Sequence, residues 1–328
     1  MYLQKPQPQP GPEGVTLPMD GYSGNEGGGC SGSISVGGRR IAYSEFGAPG
    51  GFPLLYCHQY GGSRLEASAL ESSACRRGFR IVAVDRPGLG GSDYADTGQT
   101  DPSGDLVALA DALGLPSYGL LAWGGGAGYA LEAAQHDPGR VRFCLMLSCP
   151  SLWMDGEKGW MQAILQRALQ WRCRLAARWT PPARRLALLD RVAGPSDHRL
   201  LRQAGVQRWL RESLGEAARQ GSRGLAQDVA GGFRRCRFNP ERLELPVEFW
   251  YGASDRMVSE CGGRRLVLRM PRARLRRLCG AGHFFFLRHQ DVLFDRLTVL
   301  AGPGGRDQSV ASERDVSSPS GDSRALVA

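Results

Sequence analysis

The chain reads as an α/β protein built on a mostly parallel sheet covered on both faces by helices. Two observations predict this: short β-type apolar runs alternate with helical ones over most of the 328 residues, and several runs, such as "FPLLYCH", are apolar on both faces, as buried parallel strands require. A third observation limits it, because between residues 151 and 232 the alternation stops and no convincing strand is found.

The elements follow in order. "SISV" and "RRIAYSEFG" form an opening β pair, and "FPLLYCH" is a short buried strand. "SRLEASALESSACRRGF" reads as a helix and "RIVAVDRPG" as the next buried strand. In "DPSGDLVALADALGL", Asp101 is the expected N-cap, Pro102 stands at the first helical position, and Leu106, Leu109 and Leu113 recur at helical spacing. "YGLLAWG" is the fifth strand, "AGYALEAAQHD" a helix and "RFCLMLSCP" a strand. After the interruption the rhythm resumes with "PVEFWYGASD", a helix near 260–270, "ARLRRLCGAGHF" and a last helix through "HQDVLFDRLTVL". The domain boundaries expected are a disordered tail at 1–32, a first core segment at 33–150, a helical insertion at 151–232, a second core segment at 233–302 and a disordered tail at 303–328. Both tails are rich in Pro, Gly and Ser.

Composition sets the setting. At 42% hydrophobic and 22% charged the chain is ordinary for a globular protein. Its net charge of +9 comes almost wholly from arginine, with lysine only at Lys5 and Lys158, and the arginines are scattered. The expected partner is therefore a small-molecule substrate rather than nucleic acid or a membrane, with a homodimer as the protein partner to consider. No apolar run reaches the length of a membrane span, and the polar, Pro-rich start lacks the apolar segment of a signal peptide. Nine cysteines occur without a C-x-x-C pair or zinc spacing, and Cys57, Cys144 and Cys149 lie in apolar runs. A reducing cytoplasm fits this, and neither metal nor cofactor is expected.

One turn carries the chemistry. "LLAWGGGAGYALEAAQHDPGRV" at 120–141 is a strand, a sharp glycine turn and a helix. "GGGAG" contains G-x-G, but neither the full G-x-G-x-x-G nor a Walker lysine, so the turn carries no dinucleotide-binding fingerprint. The turn resembles instead the nucleophile elbow of the α/β-hydrolase family, small-x-nucleophile-x-Gly, in which the nucleophile occupies strained backbone angles and its neighbours must be small. Ala122 and Gly126 match the small neighbours, Trp123 precedes the apex, and the nucleophile position falls on Gly124, which has no side chain. Glycine tolerates that backbone, but it supplies no Oγ.

The family's other landmarks follow in its order. "YGASDRMVS" at 251–259 places the triad acid on Asp255, and "GAGHF" at 280–284 places the triad histidine on His283. "VDRPGLGGSD" at 84–93 resembles the D-R-P-G-x-G-x-S turn, and "CHQYGGSR" at 57–64 resembles the H-G-x-P-G-S-R oxyanion loop. In that loop Gln59 replaces the glycine after His58, either as a tolerated surface change or as an amide reaching into the site. The resemblance places the oxyanion N–H groups on Gly125 and around Tyr60. It covers residues 34–302 and puts 151–232 where the family carries a lid. Trp153, Trp160, Trp171, Trp179 and Trp209 fall in that segment, either lining a cavity or packing its helices together. Phe284, Phe285 and Phe286 either add to a pocket wall or start the last helix.

Covalent catalysis at the family's position is excluded by Gly124, and Ser63, Ser148 and Ser151 sit on no elbow in the sequence. Three functions remain. The first is non-covalent catalysis on a small, largely apolar or aromatic substrate, with a His283–Asp255 general base performing elimination, cyclisation, C–C bond formation or epoxide opening in natural-product tailoring. The second is an esterase or thioesterase in which the base activates water. The third is an inactive pseudo-hydrolase that binds a small molecule or a partner.

Overall fold

A computed structural model describes residues 30–95, 102–150, 189–231 and 237–302, together with single helical positions at 168 and 171. Eight strands form one sheet: β1 (Ser31–Val36), β2 (Arg39–Gly47), β3 (Phe52–Cys57), β4 (Phe79–Val84), β5 (Tyr118–Trp123), β6 (Val141–Leu147), β7 (Val247–Gly252) and β8 (Ala273–Leu278). Their spatial order is β1-β2-β4-β3-β5-β6-β7-β8. Only β2 runs antiparallel to its neighbours, β1 and β4; the remaining pairs are parallel.

The central strands are apolar on both faces because helices cover both. Leu54, Tyr56, Leu121, Trp123, Leu145, Leu147 and Trp250 point to one layer, and Leu55, Cys57, Leu120, Ala122, Cys144, Met146 and Phe249 to the other. This period of two within each strand divides a continuous apolar run between two cores. The first core packs against α1 (Glu71–Arg76) and α8 (Gln290–Ala301), the second against α2 (Pro102–Ala112), α3 (Gly126–His136) and α7 (Cys261–Val267). The crossover between β6 and β7 contributes α4 (Pro195–Leu201), α5 (Ala204–Ala217) and α6 (Ser222–Gly231).

Three expectations change. The helix read from Ser63 begins as a 3-10 helix over Arg64–Leu70, capped by the Ser63 hydroxyl, and turns α-helical only at Glu71. β1 starts at Ser31, inside the stretch assigned to the tail, because its residues pair in register with β2 from Ser31↔Ser44 onward. The Phe284–Phe286 run starts no α-helix: Phe285–Leu287 form a 3-10 turn buried in the first core, and α8 begins at Gln290. Asp101, Trp153, Trp160, Trp179, Ser151 and the tail residues 1–29 and 303–328 lie outside the described residues. Cys57, Cys144 and Cys149 are buried free thiols, and burial pushes the Cys57 thiol up to about 12. Among the described residues no helix is long and apolar enough to cross a membrane.

Candidate active site

The carboxyl ends of the parallel strands bring together segments far apart in sequence: the loop after β3 with His58–Gly62, the turn after β4 with Asp85 and Arg86, Gly124 after β5, Ser148 after β6, Asp255 after β7 and His283 after β8. This is the edge where an open parallel sheet forms its ligand crevice.

The β5–α3 turn has the strained shape expected of it. Gly124 has φ +52°, in the left-handed region, and Gly125 and Gly126 follow into α3. A methyl on Gly124 would lie 3.2 Å from Gln59 Cβ and 3.8 Å from Gln59 Oε1, so the Gln59 side chain lies against the apex. A methyl on Gly125 would fall 2.4 Å from the Tyr60 ring, which packs directly onto the turn. The Gln59 backbone N–H donates to Glu66 Oε2 at 3.0 Å and is thereby committed away from the crevice.

In the loop after β8, the His283 ring nitrogen Nδ1 lies 2.9 Å from Asp255 Oδ2, with both side chains buried. An ionised carboxylate can only accept, so Nδ1 carries the proton and Nε2 of the neutral ring is an acceptor. That Nε2 is itself buried and has no hydrogen-bonding partner among the described residues. Asp255 is held from all sides: Oδ1 accepts the N–H of Met257 at 2.8 Å and of Val258 at 2.9 Å, and Oδ2 also accepts the Ser148 hydroxyl at 2.9 Å. Burial pushes its carboxyl up, but His283, the Val258 N–H and the Ser148 hydroxyl outweigh it and hold it below the usual carboxylate range.

Ser148 corrects a reading of the sequence. It does occupy a strained turn, with φ +46°, the one non-glycine residue among those described with a positive φ. Its hydroxyl, however, donates to Asp255 and makes no hydrogen bond to Nε2, so it braces the acid and is not placed as a displaced nucleophile. Ser63 is also committed, capping the 3-10 helix and meeting the Ser213 hydroxyl at 3.1 Å.

His58 is structural. It is fully buried, its Nε2 accepts the Arg86 N–H at 3.3 Å, and its Nδ1 donates to Gln59 O at 2.8 Å. Burial and the neighbouring Arg86 charge lower its pKa to about 3, so it stays neutral. Arg86 spans the same loop: it pairs with Asp228 at 2.6 Å, donates to Gln59 O at 2.8 Å and to His58 O, and lies over the rings of Tyr60 and Tyr129. Burial raises the Glu66 carboxyl to about 8, leaving it largely neutral beneath the loop.

Aromatic side chains pack against the imidazole. Trp123 is fully buried, with ring centroids 5.4 Å from His283, 5.2 Å from Phe284, 4.8 Å from Phe286 and 6.2 Å from Trp209 of α5. Of the tryptophans in the crossover, Trp209 therefore reaches the site, and its indole N–H donates to Glu66 O at 3.2 Å. Trp171 is exposed. Sequence reasoning missed Ser148 as the acid's partner, and it missed Asp197 and Asp228 altogether. These contacts span 86 to 167 residues, and no local pattern announces them.

The family model described as the alpha/beta hydrolase fold matches residues 53–290, and the chain belongs to that family. It is 24% identical over 272 residues to a non-heme chloroperoxidase of Streptomyces lividans, covering 78% of this chain and 94% of that one. A thermophilic esterase from Thermogutta terrifontis superposes with a TM-score of 0.66 at 18% identity, covering 82% of this chain and 97% of its own. Epoxide hydrolase A from Mycobacterium thermoresistibile superposes at 0.64 and 17%, covering 84% and 98%. At these identities the superpositions speak for the fold.

Proposed function

We propose that this protein is a catalyst that works without a covalent intermediate, with His283 as general base, oriented by Asp255. The observation that carries the reading is the buried, unpartnered His283 Nε2 in a chain whose family nucleophile position falls on Gly124. In a serine hydrolase that nitrogen would take its proton from the Oγ. Here it is left to take one from the substrate or from water. The substrate is small and largely apolar or aromatic, in keeping with Trp123 and Phe284 against the imidazole and with Trp209 and Phe286 packed on Trp123. The crossover serves as the lid, and the setting is natural-product tailoring in the cytoplasm.

The steps balance without a cofactor. Nε2 takes a proton from an activated C–H or O–H bond of the substrate, and the imidazolium is stabilised by Asp255. The electron pair left behind expels a leaving group, closes a ring or opens an epoxide, and the imidazolium returns its proton to the departing atom. Negative charge that develops on oxygen is met by the N–H groups of Gly125 and Tyr60.

A second reading has its own support. The same Nε2 suits a water molecule, and the esterase-like fold makes ester or thioester hydrolysis at least as good a use of the base. In that route the water gives its proton to Nε2, hydroxide adds to the carbonyl carbon, and the imidazolium protonates the departing alkoxide or thiolate.

Two probes test these readings. In 5-nitrobenzisoxazole a base removes the ring proton, the N–O bond breaks and a cyanophenolate is released, which needs no nucleophile. We expect the protein to accelerate this elimination, or to hydrolyse p-nitrophenyl acetate without an initial burst. Its intact mass should be unchanged after a fluorophosphonate. A burst or a phosphonylated serine overturns the non-covalent reading, and inertness toward both probes together with tight binding of small aromatics favours a pseudo-hydrolase.

A further inference from the structure

Two carboxylates of the β6–β7 crossover, Asp197 in α4 and Asp228 in α6, are buried and touch opposite halves of the site. Asp197 is fully buried; its Oδ2 accepts the backbone N–H of His283 at 2.8 Å and its Oδ1 that of Phe284 at 3.0 Å. The approach is so close that a methyl on Gly282 would fall 2.2 Å from Asp197 Oδ2, so the residue before the histidine has to be glycine. Asp228 Oδ2 accepts the N–H of Gly61 at 2.8 Å, and its two oxygens take the Nε and Nη2 of Arg86 at 2.6 and 2.8 Å. Arg86 then donates to the carbonyls of His58 and Gln59.

We propose that the crossover sets the geometry of the site through these two side chains: Asp197 and Asp228 are positioning residues, the first for the His283 loop and the second for the oxyanion loop. Buried backbone N–H groups need acceptors, and a carboxylate is the strongest one a side chain offers. Without Asp197, two adjacent amides of the histidine loop would be buried and unsatisfied, and the loop would rotate to find partners. The imidazole would then leave Asp255, because His283 is carried on that same backbone. The oxyanion loop depends likewise on Asp228, whose contact fixes Gly61 beside Tyr60 and Gln59. A segment classed as a cover over the crevice thus supplies acceptors to both loops beneath it.

The rate arm of the test rests on His283 as the base; the spectroscopic arms do not, so failure of one reading is distinguishable from failure of the other. In the wild-type chain the amides of His283 and Phe284 should rank among the slowest to exchange with deuterium, and rapid exchange there would overturn the proposal. In Asp197→Ala, the downfield Nδ1–H resonance of His283 should broaden or disappear while the rest of the amide spectrum is retained. Elimination of 5-nitrobenzisoxazole should fall at least about tenfold in kcat with little change in KM. Asp197→Asn keeps one acceptor and should fall between, and it serves as the readout if the alanine variant does not fold. Asp228→Asn should speed exchange at Gly61 and leave His283 and Phe284 protected. An unchanged Nδ1–H resonance in both Asp197 variants, or equal loosening of the two loops in Asp228→Asn, overturns the assignment.

Discussion

On the β6–β8 side of the site, Asp255 accepts four hydrogen bonds, from Ser148, Met257, Val258 and His283. On the β5 side, the turn keeps its left-handed backbone at Gly124 and its approach to the Tyr60 ring, and Gln59 lies where a side chain would have neighbours. One half is wired to hold an imidazole in a single tautomer. The other half keeps the shape of a nucleophile turn and lacks the atom. Glycine holds that backbone without strain, and the turn places Gly125 at the head of α3. A site that has merely decayed has no need of four donors on its acid. The contrast sets a buttressed imidazole–carboxylate pair against a turn with no side chain at its apex.

The largest effect expected is on the wired half. Asp255→Asn presents an amide to Nδ1 and stabilises the wrong tautomer, so the elimination rate should fall by about 10³-fold with binding little changed. Retention of the rate would show that the carboxylate is structural.

On the other half, Gly124→Ser restores an oxygen within a backbone that already has the required φ of +52°. We expect a gain of slow p-nitrophenyl acetate hydrolysis with fluorophosphonate labelling at position 124, held down by the crowding of Gln59 Cβ at 3.2 Å. A variant that remains inert and unlabelled would show that the geometry has diverged along with the side chain.

Ser148 gives a smaller effect. Ser148→Ala removes one of four bonds to Asp255, and a hydrogen bond to a charged group is worth about 1.5–3 kcal/mol, so kcat should fall by about 10- to 100-fold. Ser148→Gly should lose the same activity yet be more stable than the alanine variant, since glycine accepts a φ of +46° without strain. If both retain full activity, the hydroxyl is not part of the brace.

The smallest effects are in pH. The Asp255 carboxyl lies below its unfolded value, so its stabilisation is present above about pH 4 and is lost as pH falls through the folded pKa. Glu66 behaves oppositely. Its carboxyl is raised to about 8, so its contribution is complete below its unfolded value and fades as pH rises toward 8. Melting temperatures of wild type and Glu66→Gln should coincide near pH 4 and separate by several degrees at pH 8, with the variant the more stable. Parallel curves would show that the Glu66 carboxyl stays ionised.

Much of this was legible in the sequence, and the limit is physical. Strands buried on both faces leave continuous apolar runs, and a turn that needs small neighbours leaves Ala122, Gly125 and Gly126. Asp255 and His283 follow their strands directly, so their order along the chain announces their place in space. Ser148 was visible only as a serine after a strand, because its left-handed backbone is a product of tertiary packing. Asp197 and Asp228 read as ordinary helical acids, since their partners at Phe284 and Arg86 lie elsewhere in the chain. The 3-10 course of Arg64–Leu70 was hidden for a similar reason: Glu66 faces Tyr56 and the Gln59 N–H, and helical periodicity carries no trace of that.

The central claim is that His283 moves a proton and that nothing in the site attacks covalently. It is tested most directly by the rate of 5-nitrobenzisoxazole elimination in wild type and His283→Ala, with binding of the probe measured alongside. A positioned histidine base contributes roughly 10²–10⁴-fold, so the variant should lose at least about 10² in kcat while binding the probe nearly as well. Equal rates in the two proteins, at equal occupancy, would contradict the account.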